Sequence, residues 1–218
     1  MIKVLLVDDH ELVRTGIKSL LANASGISVV AEASSGEDAI KIAREKQPNV
    51  VLMDLKMPGI SGLEATRKIL HHDPDAKILV LTVCNDDVFP IRLLRAGASG
   101  YLTKDCDADE MIRAIRAVQA GQRYISPQIA QRLALKRFSS DEESPFDALS
   151  ERELQVMLMI TSGKKVQDIA EKLHLSPKTV NTYRYRLFEK LGIKNDVELT
   201  HLAMRFGMVD NPKFKEGE

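Results

Sequence analysis

The chain has few cysteines and no long apolar run. Its 218 residues include two cysteines, Cys84 and Cys106, which are too few for a disulfide framework and lack the spacing of metal ligands. No apolar run approaches the length of a membrane span, and the first residues have the pattern of a strand rather than of a signal peptide. We therefore expect a cytoplasmic protein that does not contact the membrane.

The sequence also lacks a glycine-rich phosphate loop, internal repeats and an excess of charge of either sign. Without a glycine-rich loop after the first strand, we do not expect a flavin or nucleotide site. The net charge is zero, but the charges are unevenly distributed. Residues 1–120 carry 15 Lys/Arg and 17 Asp/Glu, whereas residues 176–192 carry four basic residues and one acidic residue. This local basic excess alone is weak support for nucleic-acid binding.

What the sequence does contain, over its first 120 residues, is a regular alternation of two patterns. Apolar runs predict strands at about 2–7, 28–32, 50–54, 77–82 and 99–102, and helical periodicity predicts helices at about 10–24, 36–46, 62–72, 87–97 and 107–120. This alternation predicts an α/β fold: a five-stranded parallel, doubly wound sheet of the flavodoxin-like type. In the first helix we place Leu12, Val13, Ile17, Leu20 and Leu21 on the buried face.

Five polar side chains follow the predicted strands at their carboxyl ends, where open α/β sheets place their chemistry. They are Asp8, Asp9, Asp54, Thr82 and Lys104. Neighbouring carboxylates repel one another unless a cation compensates, and a ligand set made only of oxygen suits Mg²⁺. A carboxylate beside Mg²⁺ can act as a nucleophile on a phosphoryl group, whose oxygens Lys104 and Thr82 can bind. Considered singly, each residue also has an ordinary structural role as a helix cap, strand residue or solvated lysine.

The motifs around these residues resemble the receiver domain of bacterial two-component response regulators. They are VDD at 7–9, MD..MPG at 53–59, Thr82, and Y..K at 101–104. The resemblance implies that Asp54 accepts a phosphoryl group from a sensor histidine kinase, and that Tyr101 is a switch residue coupled to Thr82. The Mg²⁺ ligands that it implies are Asp9, Asp54 and the Lys56 backbone carbonyl, with Asp8 bound through water.

Two residues depart from the receiver pattern. Val83 follows Thr82 where many receivers have Ala or Gly, and a β-branched side chain there would narrow access to the site. Asp105 follows Lys104 where many receivers have Pro. A cis peptide bond at this position would be a non-proline cis bond, which costs ~3 kcal/mol.

A second, all-α pattern follows the receiver. Residues 122–137 predict a short helix, and the acidic residues 138–147 predict a flexible linker. Ser150 and Glu153 fit a capping box that opens a helix at 151–162. Further helices are predicted at 166–173, from Ser176-Pro177 onward, and at about 196–206. The helix at 166–173 and the one that follows Ser176 have the outline of a helix-turn-helix.

The helix that follows Ser176 has an apolar face and a polar face. Val180, Leu187 and Leu191 recur at helical spacing and should face the core. On the polar side, the residues suited to base edges are Lys178, Asn181, Thr182 and Tyr185, and those suited to phosphates are Lys178, Thr179, Arg184 and Arg186. A solvated helix face without DNA is the alternative.

The segment LSERELQV…KVQDIAEKLHLSPKTVNTYRYRLFEKLGI resembles the LuxR/FixJ-type DNA-binding domain. The two resemblances together indicate a transcription regulator of the NarL/FixJ class, and VRTGI, GLEATRK and SPFD.LSERE look most like its GacA/UvrY/LetA group. The class implies a homodimer that binds double-stranded promoter DNA when phosphorylated. The group implies a hybrid sensor kinase as phosphodonor and the promoters of small regulatory RNA genes as targets.

We therefore predict a receiver at 1–121, a helix and linker at 122–147, a DNA-binding domain at 148–211 and a tail at 212–218. Two other functions stay open. A Mg²⁺-dependent phosphatase would want an acid two residues after Asp54, but position 56 is Lys, so we expect no enzyme activity beyond self-phosphorylation. A module whose C-terminal helices bind a protein instead of DNA is compatible with the modest basic charge.

Overall fold

The two sequence patterns correspond to two units, Met1–Ser140 and Asp141–Glu218. A computed structural model of the protein describes residues 1–55, 57, 59–82, 88–131, 134, 145–206 and 208, without the side chains of Thr82, Val88, Phe89 and Glu151. The predicted linker residues 138–144 and the tail at 212–218 lie outside this description. No helix of the described residues is both long enough and apolar enough to cross a membrane.

The first unit is a parallel sheet whose strands are β1 Ile2–Val7, β2 Ile27–Ala33, β3 Val50–Asp54, β4 Ile78–Thr82, β5 Gly100–Thr103 and β6 Tyr124–Ile125. The strands lie in the order β2-β1-β3-β4-β5-β6, and every neighbouring pair is parallel. The predicted parallel, doubly wound fold is confirmed, but the described residues form a sheet of six strands rather than five. β6 has only two residues, too few for an apolar alternation to stand out in the sequence.

Helices flank the sheet on both faces: α1 Glu11–Ala22, α2 Gly36–Lys46, α3 Gly62–His72, α4 Val88–Arg95 and α5 Ala108–Gln119. On one face, α1 and α5 bury a cluster that includes Leu6, Leu52 and Ile115. On the other face, α2 packs on β1 and β2, and α3 packs on β3. Leu12, which we predicted to be buried, is 84% exposed, because it lies off the stripe that carries Ile17 into the core.

In the second unit, the described residues form a short 3₁₀ helix, Pro145–Ala148, and then α6 Glu151–Thr161, α7 Val166–Lys172, α8 Pro177–Leu191 and α9 Asp196–Arg205. The predicted capping box is confirmed: the Glu153 N–H donates to Ser150 Oγ over 3.3 Å, and the Ser150 N–H donates to Glu153 Oε2 over 2.7 Å. Phe146 is fully buried, and its ring lies edge-on to that of Phe206 with the centroids 5.7 Å apart. Phe146, which we had assigned to the linker, therefore belongs to the core of the second unit.

Candidate functional site

The carboxyl ends of β1, β3, β4 and β5 meet at one edge of the sheet because these strands are parallel. The register pairs Val7 with Met53, Asp54 with Leu81 and Thr82 with Thr103. Asp8 follows β1 directly and Lys104 follows β5 directly. The backbone positions that we predicted to converge are thus at neighbouring strand ends.

Lys104 lies between two buried carboxylates. Its Nζ is 2.5 Å from Asp8 Oδ2 and 3.1 Å from Asp54 Oδ1. Asp54 is 3% exposed, and its Oδ1 also accepts the N–H of Leu55 over 2.8 Å. Burial raises the pKa of Asp54 to about 6, although the charge of Lys104 opposes this rise. Burial lowers the pKa of Lys104, but its hydrogen bonds to Asp8 and Asp54 and their charges outweigh burial and raise it. Lys104 is therefore charged at neutral pH.

Asp9 and His10 complete a tight group of possible metal ligands with Asp8 and Asp54. One ligand atom from each of the four residues lies within 4.8 Å of the others. Asp9 Oδ1 is buried and accepts no hydrogen bond from the described residues. A buried carboxylate oxygen is costly unless a donor or cation satisfies it, and oxygen ligands from three aspartates suit Mg²⁺. The residues therefore fit a divalent cation. Our sequence reasoning missed His10, although it directly follows the acid pair.

Close backbone packing holds the loop between β3 and α3. A Cβ on Gly62 would lie 2.0 Å from the carbonyl oxygen of Asp54, so α3 begins directly against the end of the strand. Glu37 Oε1 accepts the N–H of Ile60 over 3.0 Å, and a Cβ on Gly59 would lie 2.7 Å from the same oxygen. Glu37 thus attaches the start of α2 to this loop. Helical periodicity marks Glu37 only as an exposed residue, so the sequence contains no signal for this contact.

Some of the predicted features of this site lie outside the described residues, namely the Lys56 carbonyl, the Thr82 side chain and Val83. Tyr101, the predicted switch residue, is fully buried in β5. All peptide bonds among the described residues are trans, including the Lys104–Asp105 bond. The cis bond that we considered after Lys104 is therefore not formed.

α8 carries the residues that we predicted to contact DNA. Ser176 caps this helix, since its Oγ accepts the N–H of Thr179 over 3.1 Å, and Pro177 is the first helical residue. Val180 and Leu187 are buried, as predicted, and Leu191 is half-buried. The exposed members of the predicted set are Lys178, Thr182, Tyr185 and Arg186, and the half-buried members are Thr179, Asn181 and Arg184.

Arg184 differs from the other predicted contacts because it has a partner in the neighbouring helix. Its Nε and Nη2 donate to the two carboxylate oxygens of Asp196 over 2.7 and 2.6 Å. Its guanidinium carbon also lies 5.4 Å from the ring centroid of Phe188. This bidentate ion pair joins α8 to the first residue of α9, a contact that the sequence pattern did not indicate.

The two units match two known families. Residues 4–116 match the response regulator receiver domain, and residues 147–203 match the bacterial regulatory proteins of the luxR family. The chain therefore belongs to the response regulators that join a receiver domain to a LuxR-type helix-turn-helix domain. Members of this family are DNA-binding regulators of transcription, and the resemblance seen in the motifs is confirmed.

Particular relatives are similar over almost the whole chain. The chain is 64% identical to the response regulator GacA of Pseudomonas aeruginosa, an alignment that covers 96% of this chain and 99% of GacA. It is 58% identical to the response regulator UvrY of Escherichia coli, with 95% and 96% covered. Among solved structures, RcsB from Salmonella enterica serovar Typhimurium, bound to a promoter in the presence of the phosphomimetic BeF₃⁻, has a TM-score of 0.68 at 26% identity and covers 95% of this chain and 99% of that chain.

Proposed function

We propose that a sensor histidine kinase switches this response regulator by phosphorylating Asp54. The observation that supports this most directly is the position of Lys104, whose Nζ lies 2.5 Å from Asp8 and 3.1 Å from Asp54. The Asp54 carboxylate is the nucleophile, and the Leu55 N–H orients it through its bond to Oδ1. In this proposal the ammonium group of Lys104 binds an oxygen of the added phosphoryl group, and Thr82 is the hydroxyl donor that the receiver resemblance implies.

Asp9, Asp54 and the Lys56 carbonyl would hold Mg²⁺, with Asp8 bound through water. The buried Asp9 Oδ1, to which none of the described residues donates a hydrogen bond, supports this assignment. When bound, Mg²⁺ neutralises charge on the phosphoryl oxygens during transfer. Ionised Asp54 is the reactive form, and with a pKa of about 6 this form predominates at neutral pH.

The consequence of phosphorylation is a shift between two states of the receiver, with Tyr101 and Thr82 as the switch pair. In the active state the chain forms a homodimer that binds two half-sites of promoter DNA through α8. The exposed residues Lys178 and Arg186 then contact phosphates, together with Thr179, and the base edges are read by Asn181, Thr182 and Tyr185. That RcsB was solved on a promoter with a phosphomimetic supports this order of events.

The high identity to GacA extends the proposal to partners and targets. We propose that the phosphodonor is a hybrid sensor kinase and that the regulated promoters include those of small regulatory RNA genes. Both assignments follow from the resemblance to the GacA/UvrY/LetA group.

Intact mass spectrometry after incubation with acetyl phosphate tests the phosphoacceptor. We expect a single phosphoryl adduct on the native chain in the presence of Mg²⁺, and none without Mg²⁺ or on the Asp54→Asn chain. If the native chain is silent, Val83→Ala separates an occluded site from an absent one, because a smaller side chain should restore labelling. An adduct that persists in Asp54→Asn, or silence of both native and Val83→Ala chains, would contradict the proposal.

Promoter binding by the same samples tests the switch. Phosphorylated native protein should bind promoter DNA more tightly than the untreated protein, whereas Asp54→Asn should show no stimulation by acetyl phosphate. Stimulated binding in Asp54→Asn would refute this route, and binding that is insensitive to salt would argue against phosphate contacts by α8.

A further inference from the structure

His10 is the member of the acidic cluster to which the proposed phosphorylation site assigns no role. It is the cap residue of α1, but its side chain makes no capping hydrogen bond. Its Nδ1 instead lies 2.9 Å from Asp9 Oδ1 and 3.3 Å from Asp8 Oδ1. The ring is 67% exposed, so its nitrogen reaches the carboxylates from the solvent side of the site.

His10 lies at ion-pair distance from Asp9. Its Nδ1 is 2.9 Å from Asp9 Oδ1, and no described residue donates a hydrogen bond to that oxygen. An unprotonated imidazole nitrogen and a carboxylate oxygen are both electron-pair donors, so one cation placed between them can bind both.

The spacing of the four residues suits one ion. The ligand atoms of Asp8, Asp9, His10 and Asp54 all lie within 4.8 Å of one another. Ligands that bind a divalent ion at roughly 2.1 Å are at most about 4.2 Å apart, when they lie on opposite sides of it. The spacing of the four ligand atoms, 4.8 Å at most, therefore exceeds this span by no more than about 0.6 Å.

We infer that His10 contributes a nitrogen ligand that biases this site toward later first-row transition-metal dications such as Co²⁺ and Ni²⁺. The inference rests on the proposed function, because it places the ion in the same acidic site that would hold Mg²⁺. A site with oxygen ligands alone suits Mg²⁺, whereas imidazole adds affinity for transition metals that Mg²⁺ does not share. The metal that occupies the receiver, and so supports phosphorylation, would then depend on the supply of these ions as well as on Mg²⁺.

Calorimetric titration with CoCl₂ and with MgCl₂ tests the inference through the ratio of the two affinities. We expect His10→Ala to lower the ratio of Co²⁺ to Mg²⁺ affinity by roughly 10–100-fold, the cost typical of a lost metal-site partner. The ratio is the informative quantity because any change in local charge acts on both ions alike. The visible absorption of bound Co²⁺, which depends on its ligands, should also differ between the native and His10→Ala chains.

Two further variants make the result specific. His72→Ala removes an exposed histidine on α3 and should leave the ratio unchanged, which controls for Co²⁺ bound to surface imidazoles. Asp9→Asn should lower the affinity of the chain for both Co²⁺ and Mg²⁺. Suppose that Asp9→Asn lowers both affinities but His10→Ala leaves the ratio of Co²⁺ to Mg²⁺ affinity and the Co²⁺ absorption unchanged. The proposed role of His10 is then wrong, although the acidic metal site is supported. If Asp9→Asn changes neither affinity, the proposed metal site itself is wrong.

Discussion

At the scale of single residues, Asp54 combines a reactive position with an electrostatic cost. The carboxylate is almost fully buried beside Asp8, and only Lys104 offers it a positive charge among the described residues. Burial therefore raises its pKa to about 6 from an ordinary value of 3.8. A buried carboxylate that is incompletely compensated reacts readily with a cation or a phosphoryl group, but it also destabilises the metal-free native state when it is ionised.

The pH dependence of stability follows from this pKa. Because the pKa of Asp54 is higher in the folded chain (about 6) than in the unfolded chain (3.8), its contribution to stability is fully present below pH 3.8 and is lost as the pH rises through about 6. A shift of this size corresponds to about 3 kcal/mol. In metal-free urea unfolding, Asp54→Asn should therefore raise the free energy of unfolding by up to about 3 kcal/mol at pH 8 and by little at pH 4.

Addition of Mg²⁺ provides the matched control for this prediction. The ion stabilises the native chain in proportion to its occupancy, and it should stabilise Asp54→Asn less because a ligand is missing. The difference between the two chains at pH 8 should therefore shrink. An effect of Asp54→Asn that is equal at pH 4 and pH 8 would show that burial of the charge is not its cause.

At the scale of elements, α8 has two kinds of basic residue. Lys178 and Arg186 are exposed, whereas Arg184 is held by Asp196 at the start of α9 and covers the ring of Phe188. We predicted the same phosphate contact for both arginines, but Arg184 lies four residues after Val180 and therefore beside the buried stripe, whereas Arg186 lies on the exposed side of the helix. Their environments differ because the start of α9 brings the Asp196 carboxylate next to Arg184. A structural role is therefore the simpler assignment for Arg184.

Substitutions of the two arginines should therefore act on different properties. Arg186→Ala should weaken binding to every DNA sequence and reduce the salt slope of binding by about 1, with little effect on stability. Arg184→Ala should lower the free energy of unfolding by about 1 kcal/mol, the upper range for a partly exposed ion pair. Asp196→Asn is the control, since it should reproduce the stability loss without removing a basic residue. If Arg184→Ala lowers the salt slope as much as Arg186→Ala does, and Asp196→Asn leaves stability unchanged, Arg184 contacts phosphate.

At the scale of the whole molecule, the second unit begins earlier than the motif that identifies it. The LuxR-type motif starts at Leu149, but Phe146 is buried in the same core and packs against Phe206 at the other end of the unit. We propose that the connection between the units lies before Pro145. The aromatic ring of Phe146 buries more apolar surface than any other side chain in the 3₁₀ helix. Because a unit of this length has a small core, loss of this side chain should lower its stability strongly.

Two fragments test this boundary. Residues 141–218 should fold on their own, whereas residues 148–218, which lack Phe146, should be less stable by roughly 3–5 kcal/mol in urea unfolding, the cost typical of deleting a buried phenylalanine. Phe146→Ala in the longer fragment should reproduce most of this loss, which separates the side chain from the length of the fragment. Equal stability of the two fragments would show that Phe146 is dispensable and that the unit begins at residue 148.

The sequence by itself determined the features that depend on local pattern. Apolar runs that end in a polar residue located β1, β3, β4 and β5 and placed Asp8, Asp54, Thr82 and Lys104 at their ends. A serine followed three residues later by glutamate located the start of α6, and Ser176 with Pro177 located α8. These predictions succeeded because strand alternation, helical periodicity and capping depend on residues that are close in the chain. Once the strands are parallel, their carboxyl ends must all lie at the same edge of the sheet.

Only the tertiary structure decided the contacts between distant segments. The sheet gains β6 by pairing with β5, which a two-residue segment cannot signal alone. Glu37 attaches α2 to the loop after Asp54, and Arg184 forms an ion pair with Asp196 of α9. Phe146 packs in the core of the second unit against Phe206. In each case the partner lies more than ten residues away, so no local pattern specifies it. The direction of a side chain that lies between a buried and an exposed face depends on which neighbours the folded chain brings to it.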